Sequence, residues 1–241
     1  MDLTGKRALV TGASRGIGLA IARALANEGM TVFLTARDEK ALAGVKFELN
    51  QKGFHVDRFA ADLVDFNQVE NMFARAMDFL GGIDVLVNNA GIGIKRPVIE
   101  MDISEWDEML SLNLKAPFIL SKLAAQQMIP QGSGHIINIG SGASQTPLAN
   151  FAAYCASKYG LLGFSESLAL ELRDHGIKVS IVMPGSTATH FNNSNPESKL
   201  KTQPGLLRPE DVADPVLYLL RQSPNAWTSV MNLRPLNLNK S

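Results

Sequence analysis

Short apolar runs alternate with helical patterns along the whole chain. The runs read as strands at Arg7–Thr11, Thr31–Thr35, His55–Phe59, Ile83–Asn88, His135–Gly140 and Lys178–Met183, with a last one near Ser229–Leu233. Between them the pattern predicts helices over Gly16–Glu28, Asp38–Lys52, Asn67–Leu80, Ser104–Met128, Tyr154–Asp174 and Pro209–Arg221. Strands this short and this apolar, each followed by a helix, imply a doubly wound parallel sheet with helices on both faces. No low-complexity linker and no internal repeat interrupts the pattern, so one α/β domain is expected over residues 1–241. Pro117 falls inside the fourth helical pattern and should kink or split it. The longest irregular stretch is Gly185–Arg208, which contains Asn192-Asn193-Ser194-Asn195-Pro196. A stretch of this length reads as a substrate-side lid or as a disordered segment.

Composition narrows the partners. Lysine plus arginine and aspartate plus glutamate balance at 23 each, which gives no electrostatic case for nucleic acid or an anionic membrane. Hydrophobic residues make up 46% of the 241, enough for a large buried core, and no apolar run approaches membrane-spanning length. The N-terminus lacks a basic-then-apolar signal. Cys155 is the only cysteine, so no internal disulfide is expected, and a reducing, cytoplasmic setting is. It lies about 100° round the helix from Tyr154, which favours a packed small residue over a redox thiol. The four histidines, His55, His135, His175 and His190, show no ligand spacing, and no metal is expected.

Two stretches carry candidate chemistry. Thr11-Gly12-Ala13-Ser14-Arg15-Gly16-Ile17-Gly18 follows the first strand and opens the first helix. Its glycines permit a tight turn and a close backbone approach to a pyrophosphate, which the helix N-terminus then stabilises. Tyr154 and Lys158, four apart, share one helix face, and Ser141 lies thirteen residues before the tyrosine. An ammonium beside a phenol is expected to draw its pKa from about 10 towards neutrality, where it can pass a proton. Tyr-x-x-x-Lys also arises by chance on helices, and glycines also serve plain strand-to-helix turns.

The Gly-x-x-x-Gly-x-Gly spacing of Gly12, Gly16 and Gly18 resembles that of the short-chain dehydrogenase/reductase family, and the resemblance runs nearly the length of the chain. Asp62-Leu63 stands where the family's aspartate contacts adenine. Asn88-Asn89-Ala90-Gly91 resembles the family motif after the fourth strand, and Asn113 its helix asparagine. Ser141, Tyr154 and Lys158 stand at the family's catalytic spacing, and Pro184-Gly185 with Thr189 matches its nicotinamide-side loop. The resemblance implies a Rossmann-type fold of about seven strands. Each match has a plainer alternative: Asp62 as the cap of a turn, Asn88 and Asn89 as turn-holding side chains, Asn113 as an ordinary helix polar residue. The chain also departs from the family. Gly140 replaces a common second serine, Thr187 a frequent aliphatic residue, and Trp227–Pro235 lacks the usual glycine-containing ending.

The implied function is carbonyl reduction to an alcohol, or the reverse, with Tyr154 as proton donor. Ser141 would hold the substrate oxygen, Lys158 would tune Tyr154 and hold the nicotinamide ribose, and Asn113 would order a relay water. At the end of the second strand Ala36 stands where an NAD-type acid would sit, with Arg37 next. Asp38 reads as a helix N-cap, leaving Arg37 and Arg15 to clamp a 2′-phosphate; NADPH is favoured, with NADH the alternative. Three rivals stand beside a small-molecule reductase: a 3-oxoacyl-carrier-protein reductase, a non-enzymatic dinucleotide-binding sensor, and sugar-nucleotide epimerase chemistry. A homotetramer, or else a homodimer, is expected because the Ser104–Met128 and Tyr154–Asp174 helices are apolar on more than one face.

Overall fold

The computed structural model describes residues 2–191 and 195–236. Asn192, Asn193 and Ser194 of the expected lid lie outside the described residues. Seven parallel strands form one sheet in the order β3-β2-β1-β4-β5-β6-β7. They are β1 Arg7–Thr11, β2 Thr31–Ala36, β3 Val56–Ala60, β4 Val85–Asn88, β5 Gly134–Ile139, β6 Ile177–Pro184 and β7 Val230–Leu233. The strand order reverses between β1 and β4, and in open parallel sheets that crevice, at the carboxyl ends of the strands, is where ligands bind.

The alternation within each strand explains why both faces are covered. Ala8, Val10, Val32, Leu34, Val85 and Val87 pack to one side, under α1 (Gly16–Asn27), α2 (Glu39–Gln51) and α8 (Pro209–Arg221). Leu9, Phe33, Leu86, Ile136 and Val179 point to the other, under α3 (Phe66–Leu80), α5 (Ala116–Gln131) and α6 (Ala152–Leu172). Successive residues of a strand face opposite ways, so a run apolar at every position fills two cores at once.

Helix ends follow local chemistry. Asp38 caps α2 by accepting from the Ala41 N–H at 2.9 Å, as expected from the sequence. Asp65 caps α3 through Asn67 and Gln68, and Gly81 ends it with a φ of 68°.

The long fourth helix differs from expectation in an instructive way. It comprises α4 (Ile103–Leu110), a wide π turn at Ser111–Lys115, and α5. Pro117 does not break it. Proline has no N–H to give the carbonyl four residues back, and a locally widened turn before it tolerates that loss. The stretch after β6 is also not wholly irregular, since Pro196–Thr202 forms a short helix, α7, capped by Asn195.

Candidate active site

The site begins where β1 and β4 end. The Thr11 hydroxyl accepts from the Asn89 and Ala90 N–H groups at 2.9 and 3.0 Å. The Asn89 amide in turn donates to the Thr11 and Gly12 carbonyls. These bonds clamp the glycine turn to the strand across the crevice. Gly12 and Gly16 have φ of 64° and 58°, the left-handed region that favours glycine. A Cβ on Gly18 would collide with the Gly12 carbonyl and the Asn89 amide. Behind the turn, α1 follows Arg15, which supplies no side-chain cap, and its first turn holds no acidic residue. Its first N–H groups therefore lack side-chain partners and face the crevice end of the sheet, an arrangement that fits a pyrophosphate. Ser14 is half-buried, Ile17 packs against the core, and Arg15 is exposed.

Three residues converge from separate elements beyond this turn. Ser141 follows β5, its Oγ accepting from the Ala143 N–H at 3.1 Å. Tyr154 and Lys158 project from α6, both buried. The Lys158 ammonium donates to the Ile139 carbonyl at 2.9 Å and stands 5.9 Å from the Tyr154 ring centroid. Burial raises the Tyr154 phenol above its ordinary pKa, and the hydrogen bond to Ser141 only partly opposes this. Burial lowers Lys158 to about 8. Burial thus pushes the phenol in the direction opposite to the one expected from a neighbouring ammonium.

Asn113 sits in the π turn, fully enclosed. Its Oδ1 accepts from the Ile92 N–H at 2.9 Å, while its Nδ2 donates to the Ile92 carbonyl at 2.8 Å and to the Ser157 hydroxyl at 3.0 Å. Ser157 donates back to the Tyr154 carbonyl at 2.8 Å. Sequence reasoning missed Ser157, because a serine one turn after a tyrosine carries no pattern of its own. Gly91 lies against this group, where a Cβ would approach Asn113 Oδ1 to 3.0 Å and Lys158 Nζ to 3.7 Å.

The remaining sequence-predicted residues fall at differing depths. Asn88 is a core residue, bonded to Ser121 and Asn138, rather than part of the crevice. Asp62 does hold a turn, through the Val64 N–H, and Leu63 is buried in the core. Pro184 ends β6, Gly185 bonds the Leu233 carbonyl, and Thr187 bonds the Gly185 carbonyl. Thr189 is buried against the start of α1, its methyl 3.3 Å from where a Gly16 Cβ would stand. Gly140 is glycine for want of space, since a Cβ there would lie 2.9 Å from Ile181 and Met183. Arg37 is exposed just past β2 and pairs with Glu108 at 3.7 Å. Ile92, Ile94, Met101, Met109, Phe151 and Phe191 pack around Tyr154 as an apolar wall that Cys155 joins from below, buried as expected. No cluster of three or more metal-ligating side chains occurs among the described residues.

Comparison with known proteins agrees with this architecture. The short chain dehydrogenase family profile matches residues 6–200. A metagenomic short-chain oxidoreductase solved in complex with NADP is 40% identical, with a TM-score of 0.87 over 99% of this chain and 100% of that one. An alcohol dehydrogenase from Thermococcus sibiricus, complexed with 5-hydroxy-NADP, superposes with a TM-score of 0.91 at 28% identity over 98% of this chain and 99% of that one. Among curated relatives, an uncharacterized oxidoreductase of Staphylococcus aureus is 32% identical over 97% of this chain and 99% of its own length. Glycine betaine reductase of Emericella nidulans is 35% identical over 97% of this chain, which spans only 19% of that longer protein. The chain belongs to the short-chain dehydrogenase family. It is an NAD(P)-dependent oxidoreductase acting on CH–OH or carbonyl groups.

Proposed function

We propose that this protein reduces a small-molecule ketone or aldehyde with NADPH, or runs the reverse oxidation, using the chain as one cofactor-binding and catalytic unit. The observation that carries the reading is the buried Tyr154 phenol, kept protonated beside the Ser141 hydroxyl. A bound nicotinamide supplies the hydride for reduction or accepts it in the reverse direction. Tyr154 gives its proton to the carbonyl oxygen, and Ser141 hydrogen-bonds that oxygen as charge develops on it. Lys158 holds the nicotinamide ribose and keeps a positive charge beneath the site. The Asn113 side chain is fully engaged with Ile92 and Ser157. A relay water is therefore better held by its main-chain carbonyl, to which Pro117 has no N–H to donate.

The pyrophosphate is assigned to Gly12, Ser14, Arg15, Gly16, Ile17 and Gly18, and adenine to Asp62 and Leu63. Asn89, Ala90 and Gly91 flank the ribose side, and Pro184, Gly185, Thr187 and Thr189 the nicotinamide side. NADPH is supported by two exposed guanidinium groups, Arg15 and Arg37, at the ends of α1 and β2 while Asp38 is occupied as a cap. The NADP bound in the metagenomic neighbour supports the same choice.

The carrier-protein rival is weakened by charge. Arg96 at the mouth is bonded by Glu105 at 2.8 Å, with Glu100 and Asp102 close enough to act on it electrostatically. Acyl carriers are acidic, and these carboxylates leave Arg96 less free to meet one, while Lys95 and Lys201, both exposed, keep some basic surface for the rival. A sensor needs no enclosed proton donor, which weighs against that reading.

Self-association is supported by an open apolar hollow of about 410 Å³ beside the π turn, lined by Leu110, Ser111, Leu114, Lys115, Phe118 and, from α6, Phe164. A cytoplasmic setting rests on the single cysteine.

The test is a panel of ketones and aldehydes assayed with NADPH and with NADH, the alcohol identified in each case. Acyl thioesters on a short thiol and on a carrier protein belong in the same panel. Turnover of free carbonyl compounds with NADPH supports the reading; turnover only on the carrier, lost at high salt, overturns it.

A further inference from the structure

The Arg37–Glu108 pair joins two parts of the fold that are distant in sequence. Arg37 follows β2, and Glu108 lies on α4, the helix that comes after β4. Strands β2 and β4 are the two neighbours of β1 in the sheet. The pair therefore reaches across the carboxyl end of β1, the end from which the Gly12–Gly18 turn rises. Its partners are 58% and 42% exposed and 3.7 Å apart, so it is a loose, solvated contact that contributes little to holding the fold. Arg15, the other guanidinium at this end, has no carboxylate at ion-pair distance among the described residues.

We propose that Glu108 is a cofactor-specificity residue: its carboxylate holds Arg37 across the crevice and competes with the 2′-phosphate of NADPH for that guanidinium. The inference rests on the NADPH reading above and deepens it. A guanidinium engaged by a carboxylate must be released before it can form paired hydrogen bonds to phosphate, and a nearby carboxylate also repels that dianion. NADH carries no 2′-phosphate, so its binding is indifferent to the exchange. Glu108 thus lowers the preference for NADPH that Arg37 and Arg15 create. The effect of one exposed pair is modest, and removing the charge should change affinity by about two- to fivefold.

The experiment is calorimetric titration of the full chain with NADPH, NADH, 2′-AMP and 5′-AMP, for wild type, Glu108→Gln, Glu108→Lys, Arg37→Ala and the Arg37→Ala/Glu108→Gln double variant. Both side chains are exposed, and thermal midpoints near wild type will verify folding. Glu108→Gln should tighten NADPH and 2′-AMP by about two- to fivefold, leaving NADH and 5′-AMP unchanged. Glu108→Lys should tighten the phosphorylated pair further, by about tenfold. In the Arg37→Ala background, Glu108→Gln should yield a smaller gain, because the competition for the guanidinium is gone. Unchanged NADPH and 2′-AMP affinity in Glu108→Gln, or equal tightening of all four ligands, overturns the inference. If Arg37→Ala abolishes the preference for 2′-AMP while Glu108→Gln does nothing, Glu108 alone is wrong. If wild type binds NADH as tightly as NADPH, the NADPH reading fails, and the competition fails with it.

Discussion

Tyr154 and Lys158 share one helix face, yet burial moves them in opposite senses, the phenol up and the ammonium down to about 8. Neutral pH lies below both, so both groups are protonated there, the state that carbonyl reduction needs. Raising the pH removes the Lys158 proton first. The reductive kcat/KM should therefore be level near neutrality and fall above about pH 8, whereas a limb that rises through pH 8 would contradict the assignment. Stability has its own sign. The unfolded chain binds the Lys158 proton more tightly, so the folded state gains stability as pH rises from about 8 towards 10.5. Lys158→Met should lose most of the rate and also weaken NADPH binding; weaker binding with an intact rate would leave Lys158 a ribose contact alone. The sequence showed that these two residues meet, since a four-residue spacing fixes a shared face. It did not show how deep they lie, because depth depends on α4, the Phe191 segment and β5, which close around them from far along the chain.

At the scale of elements, glycine placement separates contact from convenience. Gly18 touches the Gly12 carbonyl and the Asn89 amide, whereas Gly44, in the middle of α2, has open space around it. Gly18→Ala should lower both thermal stability and NADPH affinity, by about 1–3 kcal/mol in stability, because backbone must move to admit the methyl. Gly44→Ala should instead stabilise the protein by about 0.5–1 kcal/mol, the ordinary gain for an exposed helix interior. Thermal melts of the two variants, alongside NADPH titrations, check both signs. Strand and helix order was legible because most strands are short apolar runs, although β3 carries Asp57 and Arg58, and the helices between them are longer and mixed. The π turn was not legible. Pro117 announced a disturbance in the helix, but whether a helix kinks, splits or widens is decided by what packs on it, here Asn113 held by Ile92 and Ser157. The α7 helix was hidden for another reason: seven residues with no buried side chain have no apolar stripe to read.

On the scale of the whole molecule, α5 and α6 show little amphipathic contrast because they face the sheet on one side and present Phe118, Tyr159 and Leu170 to solvent on the other. A two-fold pairing would set this surface against itself. Phe118→Asp should convert a dimer or tetramer into a smaller species in sedimentation at micromolar concentration; a wild-type monomer would contradict the arrangement. The glycine turn, Ser141, Tyr154 and Lys158 could be singled out in the sequence by their spacing, and Asn113 only through the family resemblance. Ser157 and the Glu108 pairing were not, since each depends on a contact between elements far apart in the chain. The central claim is that Tyr154 is the proton donor of an NADPH-dependent carbonyl reduction. It is tested most directly by measuring alcohol formed per NADPH consumed, and its rate, for wild type and Tyr154→Phe, with NADPH affinity measured beside them. The predicted result is one alcohol per NADPH in wild type and a loss of about a hundredfold or more in rate in the variant, with cofactor affinity nearly unchanged. A variant that turns over within a few-fold of wild type would contradict it.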